Sequence, residues 1–133
     1  AAEGLPVLGE CGGLMALSRS LTTADGDEYR MAGVLPADVR LHDRYQALDH
    51  VELRATADGP TAAGNDRLRG HEFHYSSATP DDDARFAFEM VRGEGIADGR
   101  DGLTEYRTVG TYCHCHAASG AFDRLVEVAA SED

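Results

Sequence analysis

An α/β fold with a mostly β middle is the architecture this sequence predicts, on three observations. An apolar run, Leu5-Pro6-Val7-Leu8-Gly9, is followed closely by leucines at helical spacing, Leu14, Leu17 and Leu21. From about residue 29 to residue 112 the apolar side chains mostly alternate with polar ones, the period of strands. The last stretch returns to helical spacing, with Phe122, Leu125, Val126 and Ala129 on one face.

Taken in order, Leu5–Gly9 reads as a buried strand, Cys11-Gly12-Gly13 as a sharp turn, and Leu14 onward as a helix. Residues 22–28 are polar and turn-like, and residues 29–41 hold two short extended pieces broken at Gly33 and Pro36. Val51, Leu53 and Ala55 alternate in a half-buried strand, residues 58–64 form a loop, and residues 68–76 form a second, His-rich strand. A charged turn at residues 79–83 precedes a strand carrying Phe86, Phe88 and Met90. The glycine-rich residues 93–102 read as a turn region, and residues 106–112 as a β-rich run leading into Cys113-His114-Cys115-His116. Ser119 is placed to cap the final helix.

Composition narrows the function classes. The chain has 133 residues, 24 Asp and Glu against 12 basic residues, all Arg, and a net charge of −12. That balance argues against binding phosphate backbones or an anionic membrane surface. No apolar run is long enough to span a bilayer. Three cysteines make no complete disulfide framework, and with no visible signal peptide a reducing, cytoplasmic setting is expected. Carboxylates spread along the whole chain, with 14 Asp, 20 Ala and no Lys, read as the surface of a salt-adapted protein; an acidic domain from a GC-rich coding sequence is the alternative.

Gly9-Glu10-Cys11-Gly12-Gly13 carries the chemistry. It is the thiol form of the G-x-S-x-G strand–turn–helix, in which the nucleophile sits on a strained turn and its flanks must be small. The following helix would favour thiolate at Cys11, and the Gly12 N–H is placed to hold an oxyanion. A buried structural Cys beside a glycine turn is the competing reading. A Cys nucleophile needs a His. Strand alternation puts His114 and His116 on one face and Cys113 and Cys115 on the other, which argues against a zinc site from these four. No metal is expected. His42 and His50 read as surface residues.

Four stretches then appear in order: Glu10-Cys-Gly-Gly-Leu-Met15, Met31-Ala-Gly-Val-Leu-Pro36, Gly70-His-Glu-Phe-His-Tyr-Ser76 and Thr111-Tyr-Cys-His-Cys-His116. They resemble the C-terminal glutamine amidotransferase domain of cobyrinic acid a,c-diamide synthases, over nearly the whole chain. Hydrogenobyrinic acid and nickel-sirohydrochlorin a,c-diamide synthases share these motifs. The resemblance implies a class I, flavodoxin-like sheet with a strand-rich insertion. It implies glutamine as substrate, Cys11 as nucleophile, His114 as base, and Gly9, Gly12 and Gly13 as the turn and oxyanion site. His71, Glu72, His74 and Tyr75 would shape the glutamine pocket or an interface. ATP and Mg, together with the corrinoid, would belong to a separate N-terminal domain.

Two departures stand out. Class I amidotransferases typically carry a Glu two residues after the base, where this chain has His116, so the site resembles the dyad branch and lacks the usual partner of His114. Only ten residues precede Cys11, the turn giving a second oxyanion N–H is missing, Ala1–Gly4 reads as a helix end, and there is no phosphate loop. Residues 1–133 are therefore expected to be the C-terminal portion of an amidotransferase domain. Such a portion is expected to expose a sheet edge, to self-associate through it or re-pair its strands, and to turn over little glutamine alone.

Overall fold

The structure, a computed structural model, describes residues 3–131. The chain runs β1 (Val7–Glu10), α1 (Gly12–Leu17), β2 (Ser20–Thr22), β3 (Glu28–Arg30), β4 (Ala37–Leu41), β5 (Ala47–Ala55) and β6 (Arg67–His74). It continues through β7 (Ser76–Pro80), β8 (Arg85–Arg92), β9 (Arg100–Glu105), β10 (Thr108–Thr111), β11 (His114–Cys115), one 3-10 turn (Ala117–Ser119) and α2 (Ala121–Ala130). The α/β class with a strand-rich middle is what these residues form.

The strands make a seven-stranded sheet, β1-β10-β9-β8-β5-β6-β11, and a four-stranded sheet, β3-β2-β4-β7. Among the described residues, parallel pairing is confined to β1 with β10 and β2 with β4. The remainder is antiparallel. The connections explain this. Parallel neighbours need a crossover of about a dozen residues or more, whereas two residues, Tyr106 and Arg107, join β9 to β10.

The larger sheet is curled. In a flat sheet β10 and β11 would lie about 24 Å apart across five strand spacings. Yet only Tyr112 and Cys113 separate Thr111 from His114, a span of at most about 11 Å. The sheet must therefore bend round until β11 returns beside β10 and β1. This seam is where the strand before Cys11 meets the segment carrying His114. The other edge of β1 carries no strand among the described residues.

Two apolar clusters hold the layers. Val51, Leu53, Leu68, Phe88, Val109 and Cys113 fill one. Leu14, Leu35, Val39, Leu103 and Tyr112 fill the other, between α1 and the two sheets. Alternation is strict on β6: Leu68, Gly70, Glu72 and His74 face inward, and Arg67, Arg69, His71 and Phe73 outward.

Three local expectations are corrected. Leu21 is not on the first helix: the Ser18 hydroxyl turns back to the Leu14 carbonyl (2.8 Å), α1 stops at Leu17, and Leu21 pairs with Val39 in β2–β4. Ser119 does not cap α2, because its hydroxyl bonds the His116 carbonyl (2.6 Å) and Gly120 holds the N-cap position. Val126 is 67% exposed rather than part of the buried face. The helix end expected at Ala1–Gly4 falls partly outside the described residues.

Candidate active site

Cys11 sits between β1 and α1 at φ 51°, ψ −98°, a conformation that non-glycine residues avoid and that costs on the order of 1–3 kcal/mol. Its backbone is held on both sides: the Cys11 N–H donates to Thr111 O (2.7 Å) and the Met15 N–H to Cys11 O (3.0 Å). Gly9 is required by packing. A Cβ there would lie 2.7 Å from the Gly13 carbonyl carbon and from Leu17 Cδ1. Gly13 differs from the expectation, since a Cβ there meets nothing within 4 Å. What the turn needs at Gly13 is the backbone's closeness to Gly9.

The Cys11 thiol is half-buried and lies 3.8 Å from the Phe73 carbonyl. Burial pushes its pKa up, and the Gly12 N–H pulls it down less strongly. The expected preference for thiolate is thus corrected: α1 has only six residues, and desolvation outweighs its pull. Such a thiol reacts only if a base takes its proton.

The segment leading to His114 is gripped by carboxylates. Asp101, fully buried, accepts the N–H groups of Gly102 (2.8 Å), Tyr112 (3.0 Å) and Cys113 (3.0 Å). Glu10 accepts the Cys115 N–H (2.7 Å). His114 faces His71 across β11–β6, and the rings stack at 5.1 Å and 17°. His116 lies 6.0 Å from His71. Cys113 and Cys115 are buried on the opposite face, as alternation requires. Gly70 makes this possible, because a Cβ there would lie 2.1 Å from His114 O and 2.6 Å from Cys113 Sγ. Cys11 and His114 thus share the seam, but among the described residues no hydrogen bond joins them.

Alternation splits the Gly70–Ser76 group that the sequence treated as one. His71 and Tyr75 face outward, and Tyr75 packs with Phe73 (5.6 Å) and Tyr45 (6.1 Å) in an exposed aromatic patch. Glu72 and His74 are buried and face inward. Glu72 accepts the Gly95 N–H (2.6 Å). His74 donates Nδ1–H to the Ser76 carbonyl (2.8 Å), which can only accept, and stacks flat on Tyr112 (3.6 Å, 6°). The Tyr112 hydroxyl meets Ser76 Oγ (2.9 Å). Sequence reasoning missed Glu10, Asp101 and Tyr112. Only Glu10, next to the nucleophile, carried a local signal.

Burial pushes the Asp101 carboxyl up to about 6, against the three N–H donors that favour its anion. A carboxyl raised in the folded state is held protonated above its ordinary value of about 3.9. Its stabilising contribution is therefore complete below that value and is lost as pH rises through about 6. Asp101→Asn leaves at least one buried N–H without an acceptor, an expected cost of about 1–3 kcal/mol. The wild-type advantage over Asp101→Asn in urea unfolding is expected to be larger at about pH 4.5 than at neutrality. An advantage independent of pH would refute the raised carboxyl.

No helix of the described residues is long and apolar enough to cross a membrane. A mixed α/β domain, with a strained Cys turn after β1 and a His segment tied to it, has the form of an amidotransferase domain. Residues 1–122 match the CobB/CobQ-like glutamine amidotransferase domain, and the chain belongs to that family. It is 70% identical over 128 residues to the cobyrinate a,c-diamide synthase of Haloarcula marismortui, covering 96% of this chain and 29% of that protein. To that of Halobacterium salinarum it is 69% identical over 127 residues, again 96% of this chain and 29% of the relative. The synthase of Methanothermobacter thermautotrophicus is 42% identical over 118 residues, 89% of this chain and 25% of the relative. The chain thus spans less than a third of the length of these curated relatives. Two of them come from Haloarcula and Halobacterium, in keeping with the salt-adapted surface.

Proposed function

We propose that this chain is the glutamine-hydrolysing part of a cobyrinate a,c-diamide synthase. The observation that carries this reading is the seam, which ties the strained Cys11 turn to the His114 segment from both sides. In the proposed mechanism His114 takes the Cys11 thiol proton as Sγ attacks the side-chain carbonyl carbon of glutamine. The Gly12 N–H stabilises the resulting oxyanion. Collapse breaks the C–N bond, the departing nitrogen takes the proton from His114 as ammonia, and a glutamyl thioester remains on Cys11. A water molecule, deprotonated by His114, then releases glutamate and restores the thiol.

The acceptors of the ammonia would be the a and c carboxylates of a corrinoid, and an N-terminal domain would hold the ATP and Mg that activate them. This chain has no Lys and no phosphate loop, so its residues do not fit that role and no step here runs through ATP. Tyr45, Phe73 and Tyr75 form an exposed aromatic patch, and Phe73 also presents its carbonyl to the Cys11 thiol, so this is the face we assign to that domain. We further infer that the β1–turn–α1 unit belongs to a class I sheet whose earlier strands add to the open edge of β1.

Because the Cys11 thiol rests against Phe73 O and not His114, the chain alone is expected to release little ammonia from glutamine. Adding the upstream portion of the Haloarcula marismortui relative is expected to raise release by about tenfold or more. That gain should vanish with Cys11→Ala. Equal release with and without the added portion, or release by the Cys11→Ala chain, would contradict the proposal.

A further inference from the structure

Three backbone N–H groups flank His114, and side-chain carboxylates receive them. Those of Tyr112 and Cys113 go to Asp101, and that of Cys115 goes to Glu10. Glu10 is also the residue before Cys11, whose own N–H is bonded to Thr111 O. The dipeptide Glu10-Cys11 therefore grips the segment Thr111–Cys115 at both ends, at 2.7 Å each. β10 and β11 do not pair with each other. Asp101 and the Thr111 hydroxyl, which donates to Cys113 O (2.7 Å), hold the link between them, and the Glu10 contact is the one that ties the residue after His114 to the residue before Cys11.

We propose that Glu10 is a positioning residue that sets His114 relative to Cys11. Resting on the reading of Cys11 and His114 as nucleophile and base, it supplies the orientation for which this chain has no Glu two residues after the base, where His116 stands. Here the carboxylate acts on the backbone one residue beyond the base, so what it needs is an acceptor oxygen and not a charge. The neighbouring groups are compatible with this. His71, stacked on His114, senses the Glu10 charge only weakly beside its own burial and its three histidine neighbours.

The test measures alkylation of Cys11 by a diazo-ketone glutamine analogue across pH, in the 133-residue chain supplemented with the upstream portion of the Haloarcula marismortui relative. Glu10→Ala is expected to slow it about 10- to 100-fold and to give the pH profile of His114→Gln. Glu10→Gln, which keeps an oxygen for the Cys115 N–H, is expected to stay within about threefold of wild type. A wild-type rate and profile for Glu10→Ala would overturn the proposal, as would equal losses in both variants. Should Glu10→Ala not fold, hydrogen exchange of the Cys115 amide in the wild type decides: protection supports the clamp, and exchange at the rate of an exposed amide overturns it. A His114→Gln chain that alkylates like wild type would sink the reading of the base, independently of Cys115 protection. A slow His114→Gln beside a normal Glu10→Ala would sink the clamp alone.

Discussion

In the chain supplemented with the upstream portion of the Haloarcula marismortui relative, replacing His114 by Gln is expected to slow alkylation of Cys11 by a diazo-ketone glutamine analogue about 10²–10⁴-fold while leaving the fold intact. Burial raises the Cys11 pKa, so the resting group is a thiol and its reaction depends on a base. The size of the effect is that of a positioned general base. Folding should survive because what anchors this segment is its backbone, through Asp101 and Glu10, and the His114 ring is only partly buried. Gln keeps most of the side-chain volume and lacks only the proton acceptor. Without the base, the rate should rise with pH only as the Cys11 thiol itself ionises, which burial delays. An unchanged rate would move the base elsewhere, with His71 the first candidate from its stacked position.

Gly70→Ala is expected to be the most damaging single methyl in the chain. The new Cβ would lie 2.1 Å from His114 O and 2.8 Å from His114 C. Both are backbone atoms, and neither can retreat without parting β11 from β6. Overpacking of this kind costs about 1–3 kcal/mol when side chains can adjust; here the ladder itself must yield, so about 3 kcal/mol or more is expected. Thermal unfolding should fall by on the order of 10 °C, and Cys11 labelling should fall with it because His114 moves. Gly13→Ala is the control, since its Cβ meets nothing within 4 Å and α1 gains a better helix former. Equal melting of the two variants would show that the β6–β11 approach is looser than these distances.

How much of this was legible in the chain depends on the range of the interaction. The Cys11 turn could be read because its cause is local: a strained backbone between a strand and a helix, with Gly9 pressed against Gly13. The opposite faces of His114 and Cys113 could be read because strand alternation is local too. The inward placement of Glu72 and His74 could not, since hydropathy assigns charged side chains to the surface and only their tertiary partners, the Gly95 N–H and the Tyr112 ring, permit their burial. Asp101 was hidden for the same reason, as two of its N–H partners lie eleven and twelve residues away, in the link between β10 and β11. The short α1 turned on the Ser18 hydroxyl and on the pairing of Leu21 with Val39, contacts that leucine spacing does not encode. The curl of the sheet followed from connection lengths once strand order was known, and strand order is the least local property of all.

The central assignment is Cys11 as the nucleophile of a glutamine site, and peptide-mapped labelling with the diazo-ketone analogue tests it most directly. The chain holds three free thiols. Cys11 is half-buried, whereas Cys113 and Cys115 are buried, with Cys113 held firmly protonated first by its contact with Cys115 and then by burial. The expected result is label on the Cys11 peptide, slowed by added glutamine, with Cys113 and Cys115 recovered unmodified. Similar labelling of all three thiols, or labelling of Cys11 that glutamine does not slow, would contradict it.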